Sequence, residues 1–405
     1  MKTSAPSFDL VIDSAPGETR AALLDDGVLT EFLVLRRTDG PRPGEIYLGR
    51  VQRVERGLNA AFVEIGAGPP GFLPLSGLAR RIGEGKSVLV KVAAEAVRGK
   101  GPRLTADIAP SDSRALNVAA GSAAAPACQW RETDLVSAAL RAFSQCNLGR
   151  ILADGAACFA RLRAFVRAEL PEYEDRLELH SGAEPAFEAL GIEEQIDRAL
   201  EPEIVLDSGI RLHVGETAAL VAVDVDAAAF APRRGARATA LAANLAAVNA
   251  IAREIRLRNL SGLVLVDFLR MKDAAERKRL MDAFSQAATA DPVPLHVHGF
   301  TRTGLLELTR ERRRRPLSQV LLEVESPRRK SVETVGREAL RAARHLAPRG
   351  GSAPTLVAAS EVIAWLEGEG RADLAQLESL LHVKLHLRPN ANFPREKFEI
   401  TGPPR

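Results

Sequence analysis

The sequence contains little cysteine: only Cys128, Cys146 and Cys158 occur in 405 residues. They are too few and too irregularly spaced for a disulfide framework, and none belongs to a CxxC pair. We therefore expect reduced and mostly buried thiols.

Long apolar runs are also absent. No uninterrupted apolar segment reaches the length of a membrane span, and the opening residues MKTSAPSFDLVIDS have no apolar signal core. These absences predict a cytoplasmic protein without a membrane span. The hydrophobic content of 46% and the charged content of 26% are typical of a soluble globular protein with two or more domains.

Short β-rich runs dominate the first hundred residues. Residues 8–37 alternate such runs with turn residues, among them Asp26-Gly27, which predicts a small antiparallel unit. From Glu45 onward, short strands lie between glycine and proline turns with basic and aromatic residues interleaved, a pattern typical of a small β-barrel. The Ala/Ser/Gly-rich residues 109–131 are interpreted as a linker.

Strands and helices alternate in the second half of the chain. TAALVAVDVD and GLVLVDF are predicted strands, and each is followed by a helical segment, TALAANLAAVNAIAREIRLRNL and AAERKRLMDAFSQAA. Alternation of this kind predicts a layered α/β sheet. From about Lys330, helical and strand segments alternate again, which predicts a small α/β tail domain.

Both of these predicted strands end in a carboxylate. Asp224 follows the apolar run Leu220–Val223, and Asp267 follows Val264–Val266. In open α/β sheets, functional groups collect beyond the carboxyl ends of the strands, so the two carboxylates are expected to converge on one cation. Hard oxygen ligands favour Mg²⁺ or Mn²⁺, which predicts metal-assisted phosphodiester hydrolysis. The alternative is that these aspartates only start loops or cap helices.

Several segments resemble the ribonuclease E/G family. EIYLGRVQRVERGLNAAFVEIG and GFLPLSGL are similar to its S1-type RNA-binding domain. LVAVDVDAAAF and NLAAVNAIAREIRLRNLSGLVLVDFLRM are similar to its catalytic domain, and HGFTRTGLLELTRERRRR also matches. The resemblance implies that Asp224 and Asp267 hold Mg²⁺, with Mn²⁺ as an alternative, and that Asp226 and Asn244 tune the site.

The resemblance also implies an RNA-binding surface. Phe62, Phe72 and Lys100 correspond to RNA-contacting positions of the S1-type domain, and Tyr47 is a further aromatic candidate. The alternative is that Phe62 and Phe72 belong to the barrel core. In the run RERRRR, Arg310 and Arg313 are candidates for phosphate contact, although such runs are also typical of solvated helix faces.

The implied fold class is a multidomain α/β (α+β) protein, in which an S1-type OB-fold barrel is inserted near the N-terminus of a mixed α/β nuclease body. Residues 1–43 are expected to begin an RNase H-like subdomain, and residues 44–108 to form the barrel. A linker and the helical remainder of the RNase H-like and 5′-sensor region would follow in residues 109–200. Residues 201–325 would form a DNase I-like catalytic domain, and residues 326–405 a small C-terminal α/β domain.

Three departures from the family pattern modify these expectations. The family's Asp-x-Asn reads Asp224-Val225-Asp226 here, and Asp226 cannot donate an amide NH. The CPxCxG link between the catalytic and small domains is missing, so no structural Zn²⁺ is expected, and the protein is predicted to be a monomer or a zinc-independent homodimer. The region after the barrel is short, which predicts weak dependence on the RNA 5′ end.

The sequence thus predicts a magnesium-dependent endoribonuclease that is specific for single-stranded RNA and acts in RNA processing or decay. The alternative is an RNA-binding paralogue whose catalysis is impaired by the changes at Asp226, Ala227 and Ala228.

Overall fold

A computed structural model describes residues 7–75, 82–97, 99–108, 124–217, 219–227, 236–323, 329–346 and 353–401, without the side chains of residues 236–239 and 346. Within these residues the strands form three open sheets and one closed barrel. Among the described helices, none combines the length and the apolar character that a membrane crossing needs.

The chain begins with an antiparallel meander, as predicted. Its strands are β1 (Phe8–Ala15), β2 (Glu18–Asp25) and β3 (Val28–Arg36). The second hairpin turns through Asp26 and Gly27, whose φ angles are +49° and +78°. Positive φ at both central residues matches the twist of the flanking strands, and Asp-Gly adopts it readily.

The next five strands close into the predicted barrel. They are β4 (Ile46–Glu55), β5 (Ala60–Glu64), β6 (Gly71–Pro74), β7 (Ser87–Ala94) and β8 (Arg103–Thr105), with a 3-10 helix at Arg56–Leu58. They pair in the order β5-β6-β8-β7-β4, and β4 returns to β5. Alternate residues such as Val63, Leu73 and Val90 fill the interior.

The linker prediction is wrong for part of its range. Residues 109–123 lie outside the described residues, but β9 (Ala127–Trp130) is a strand that pairs with β4. The segment ACQW shows no alternation of apolar and polar residues that would predict a strand. It becomes a strand because it pairs with backbone NH and carbonyl groups of β4.

The meander is completed by strands that follow the barrel in sequence. The elements are α1 (Leu135–Phe143), β10 (Leu148–Asp154), α2 (Ala156–Glu169), a 3-10 helix (Pro171–Arg176), β11 (Leu177–His180), α3 (Ala186–Ala189) and α4 (Ile192–Leu200). The first sheet has the order β11-β10-β1-β2-β3, and β10 runs parallel to β1. The barrel is therefore an insertion within this sheet.

The second open sheet has helices on one face. Its elements are β12 (Glu203–Val205), β13 (Arg211–Glu216), β14 (Leu220–Asp226), α5 (Ala236–Leu257), β15 (Gly262–Asp267), α6 (Ala274–Ala288), β16 (Leu295–Phe300) and β17 (Leu306–Arg310). The order is β12-β13-β14-β15-β17-β16. Val221, Val223 and Val225 of β14 pack with residues of α5 and α6, whereas Ala222 and Asp224 are exposed on the opposite face.

A small three-stranded sheet ends the chain. Its elements are α7 (Leu317–Leu321), α8 (Val332–Leu346), β18 (Thr355–Ala358), α9 (Ser360–Glu367), α10 (Arg371–Leu381), β19 (His386–Pro389) and β20 (Phe398–Thr401). The order is β19-β18-β20, and α8, α9 and α10 contribute to its core.

Buried ion pairs join α8 to the first sheet. Arg341 contacts Glu18, Arg344 donates to Asp13 at 2.8 Å, and Arg36 donates to Glu18 at 2.7 Å. Burial by itself would raise the pKa of the Glu18 carboxyl, but the guanidinium groups around it, led by Arg341, outweigh that effect and lower the pKa to about 2. The network therefore fixes the C-terminal unit on the first sheet.

Substitution of Arg341 by Met is expected to destabilise the protein by about 3–5 kcal/mol, because it removes one of the two guanidinium partners of the buried Glu18 carboxylate and leaves only Arg36. The same change at Arg167, which pairs with Glu174 and is 60% exposed, should cost less than about 1 kcal/mol. Urea denaturation measures both. Equal small effects would contradict the role given to the network.

The pH dependence has a definite sign. Because the pKa of Glu18 falls on folding from 4.5 to about 2, its stabilisation is present above pH 4.5 and is lost as the pH falls towards 2.

Candidate active site

The two predicted metal ligands lie side by side. β14 and β15 are parallel, and in their register Asp224 is the partner of Asp267. Neighbouring strands are about 4.8 Å apart, so the two side chains project from adjacent positions on the same face, at the C-terminal ends of both strands. Both residues are exposed. The structure thus brings together two carboxylates that are far apart in the sequence.

The alternation of β14 explains why this pair faces solvent. A strand with one face on the core exposes every second residue, and the valines of β14 take the core positions. Asp226 lies two residues after Asp224 on the same face and is half-buried. It is in register with Arg211 of β13.

Asn244 contacts the backbone just after Asp267 from the helix side of the sheet. It is fully buried in α5, where its amide group donates to the carbonyl oxygen of Leu269 at 2.8 Å and accepts from the NH of Leu269 at 3.0 Å. Leu269 follows Asp267 by two residues, so Asn244 holds the chain where it leaves β15. Its contacts are those of a positioning residue.

The predicted aromatic pair lies on the outside of the barrel. Phe62 and Phe72 are register partners on β5 and β6, and their half-buried rings meet edge to face with centroids 6.0 Å apart. The guanidinium of Arg53 lies 4.9 Å from the ring centroid of Phe62. Neither ring is part of the barrel core, so the core interpretation does not hold for them. Lys100 is exposed on the segment that leads into β8.

Tyr47 is not placed to stack on a base. Only 1% of its surface is exposed, its hydroxyl donates to Glu45 at 2.7 Å, and it accepts from Arg131 at 2.9 Å. Burial and the bond to Glu45 raise the pKa of this hydroxyl. The prediction of Tyr47 as an RNA contact is corrected on this ground, because its ring fills the barrel core.

Arg310 is also unavailable. It is 4% exposed and binds Asp291 through two hydrogen bonds of 2.6 and 3.1 Å, so its prediction as a phosphate contact is corrected. Arg314 and Arg315 likewise pair with Glu31 and Asp39 of the N-terminal region.

Arg313 differs from its neighbours in the run. Its side chain is 44% exposed and pairs with Glu311, a surface contact that contributes little to stability. It remains a candidate for phosphate contact.

The Asp224–Asp267 pair suits a hard cation. Mg²⁺ binds through one or two carboxylates and completes its coordination with water and substrate phosphate. Within the described part of the chain, no group of three or more His, Cys, Asp or Glu side chains is placed to hold a metal ion. A two-carboxylate site that keeps most ligand positions open is therefore the arrangement the residues fit.

Comparison with known proteins decides the family. The model of the ribonuclease E/G family matches residues 75–313, which include β14, β15 and both aspartates. The chain belongs to the ribonuclease E/G family. The resemblance drawn from the sequence is confirmed, and so is the α/β fold class with its inserted barrel.

Two of the similar family members match almost the whole chain, and a third matches about three quarters of it. Ribonuclease G of Haemophilus influenzae is 28% identical over 487 aligned positions, which cover 97% of this chain and 99% of the relative. Ribonuclease G of Escherichia coli K12 is 29% identical with the same coverage. Ribonuclease E of Escherichia coli K12 is 26% identical over 379 positions, covering 73% of this chain and 36% of the relative.

Sequence reasoning missed the polar residues of β13. Glu203, His213, Asp224 and Asp267 form one row across four strands of this family member, and Arg211 lies in the next row. The signal was the alternation in RLHVGE, which exposes Arg211 and His213. It was not recognised because a histidine or arginine on a short strand is also typical of an ordinary solvated face.

Replacing Asn244 by Leu is expected to destabilise the protein by about 3 kcal/mol, because the NH and carbonyl groups of Leu269 lose their buried partner. The amide of Leu269 should also exchange hydrogen faster. Asn249 on the same helix is exposed, so its replacement by Leu should change stability by less than about 0.5 kcal/mol. Unaltered exchange at Leu269 would contradict the positioning role.

Proposed function

We propose that this protein is an endoribonuclease that hydrolyses single-stranded RNA, in RNA processing or decay, with Mg²⁺ or Mn²⁺ held by Asp224 and Asp267. The endoribonuclease assignment follows from membership of the ribonuclease E/G family. The single observation that supports the site is the register pairing of these two exposed carboxylates. Nothing in the structure or in the relatives favours a catalytically impaired protein.

The cation would be held by the Asp224 and Asp267 carboxylates. When bound, it supplies positive charge that stabilises the phosphodiester in the transition state. The protein contributes the rest: the open face of the sheet admits a polynucleotide, and Asn244 fixes the chain beyond Asp267. Asp226 adds a third negative charge on the same face, close to the pair.

The barrel would hold the RNA strand. Phe62 and Phe72 offer ring faces for bases, and Arg53, Lys100 and the nearby Arg103, which is in register with Phe72, are exposed cations for phosphates. Sequence-tolerant binding of single strands needs this combination, because every base has a ring to stack and every linkage carries a charge.

Asp224→Asn and Asp267→Asn should each lower cleavage of a short single-stranded RNA in Mg²⁺ on the order of 100-fold or more, because each removes one anionic ligand. RNA binding, measured by fluorescence anisotropy, should persist. Asp282→Asn on the outer helix α6 is a control that should cleave like the parent. Full cleavage by both site variants would refute the assignment of the site, and a parent that binds without cutting would favour the impaired paralogue.

Phe62→Ala should weaken RNA binding by about 1–3 kcal/mol, the usual effect of losing one stacked ring. Tyr47→Phe is the matched aromatic control: it should leave RNA affinity unchanged, because that ring is buried, while lowering stability through the loss of its bonds to Glu45 and Arg131. RNA affinity that depends on Tyr47 and not on Phe62 would reverse the assignment.

A further inference from the structure

A basic strand lies beside the acidic pair. His213 of β13 is the register partner of Asp224, and Arg211 is the register partner of Asp226. Both project from the face that carries the aspartates, since Leu212 and Val214 between and after them are buried in the core. The open face of the sheet thus carries two cationic or polar nitrogen groups next to three carboxylates.

One carboxylate on the edge strand lies near both of these side chains. Glu203 of β12 is 3.7 Å from Nη1 of Arg211 and 3.6 Å from Nδ1 of His213. All three side chains are between 42% and 52% exposed. Glu203 therefore lies within ion-pair distance of both the imidazole ring of His213 and the guanidinium group of Arg211. The cluster Glu203–Arg211–His213 is therefore partly ordered and accessible.

The charges on the exposed face of the second sheet indicate what this cluster could bind. Asp224, Asp226 and Asp267 concentrate negative charge where an RNA backbone must approach. The structure describes all six strands of this sheet, and two of them contain an arginine, Arg211 of β13 and Arg310 of β17. Arg310 is buried with Asp291, so within these strands Arg211 is the one arginine on the exposed face. Arginine suits phosphate, since its planar group donates two parallel hydrogen bonds.

We propose that Arg211, assisted by His213, binds the RNA phosphate that adjoins the scissile phosphate. The proposal rests on the proposed placement of the cleavage site at Asp224 and Asp267. Strands lie about 4.8 Å apart, so β13 is one strand from Asp224 and two strands from Asp267. If the scissile phosphate of an RNA lies over the two aspartates, the neighbouring phosphate of that RNA lies near β13. The cluster then sets the register of the RNA at the cut.

Kinetics and binding test the contact. Arg211→Ala should raise KM about tenfold and change kcat by less than about twofold, because the contact is made equally in the bound and the transition state. The slope of log affinity against log salt should fall by about 0.7, the amount expected for one phosphate of a single strand. Arg211→Lys should keep the salt slope, since it retains the charge.

Arg388→Ala is the matched control. Arg388 is likewise an exposed arginine on a strand, in the small C-terminal sheet, and its loss should alter neither KM nor the salt slope. An equal change in the two alanine variants would overturn the proposal, because it would reflect total charge alone. So would an unchanged KM and salt slope in Arg211→Ala.

A neutral linkage in the substrate locates the phosphate. Two versions of a short RNA cut at one position would carry a methylphosphonate either just 5′ or just 3′ of the scissile linkage. With one of these two substrates, the kcat/KM of the parent enzyme should fall about tenfold relative to the unmodified RNA. The kcat/KM of Arg211→Ala should be the same for that substrate and for the unmodified RNA. Such non-additivity identifies direct contact. Independent, multiplicative losses for both substrates would overturn the proposal.

The outcomes separate this inference from the proposed site. If Asp224→Asn abolishes cleavage while Arg211→Ala behaves like the parent, only the phosphate contact is wrong. If Asp224→Asn cleaves normally, the proposed site is wrong, and the salt slope of Arg211→Ala still decides whether this arginine contacts RNA.

Discussion

Parallel pairing of β14 with β15 is the constraint on which the candidate site depends. The pairing brings Asp224 and Asp267 into one register position, and a shift of one residue would turn one of them into the core. The register is held from the core side by the packing of alternate valines against α5 and α6. It is also held from beyond the strand by Asn244 on Leu269. Hydrophobic burial on one face therefore sets the position of charges on the other.

Arginine has two physical roles in this molecule, and burial separates them. Arg36, Arg310 and Arg341 are almost fully enclosed, and each has a buried carboxylate partner. Such groups must be paired, because an isolated buried charge is strongly unfavourable. Arginines of the other class, such as Arg53 and Arg211, keep much of their surface in water. The run RERRRR contains members of both classes.

Much of the architecture could be predicted because it depends on local pattern. Alternation and turn residues gave the meander and the barrel, and the strand ends marked Asp224 and Asp267. The partners of charged residues could not be predicted in this way. Asp291 is close to Arg310 only after the β16–β17 hairpin has formed, and Tyr47 accepts a hydrogen bond from Arg131, which lies beyond the predicted barrel segment. Both are tertiary effects that leave no periodic trace.

The insertion of the barrel within the first sheet has a consequence for the way the chain folds. Phe8 is aligned with Leu148, so β1 waits for its parallel partner until the whole barrel segment has left the ribosome. The five barrel strands find the partners that close the barrel among themselves, so the barrel forms without that delay. Once β10 is in place, both ends of the barrel segment are anchored in one sheet. The barrel then has two tethers in place of one, which limits its rotation relative to that sheet.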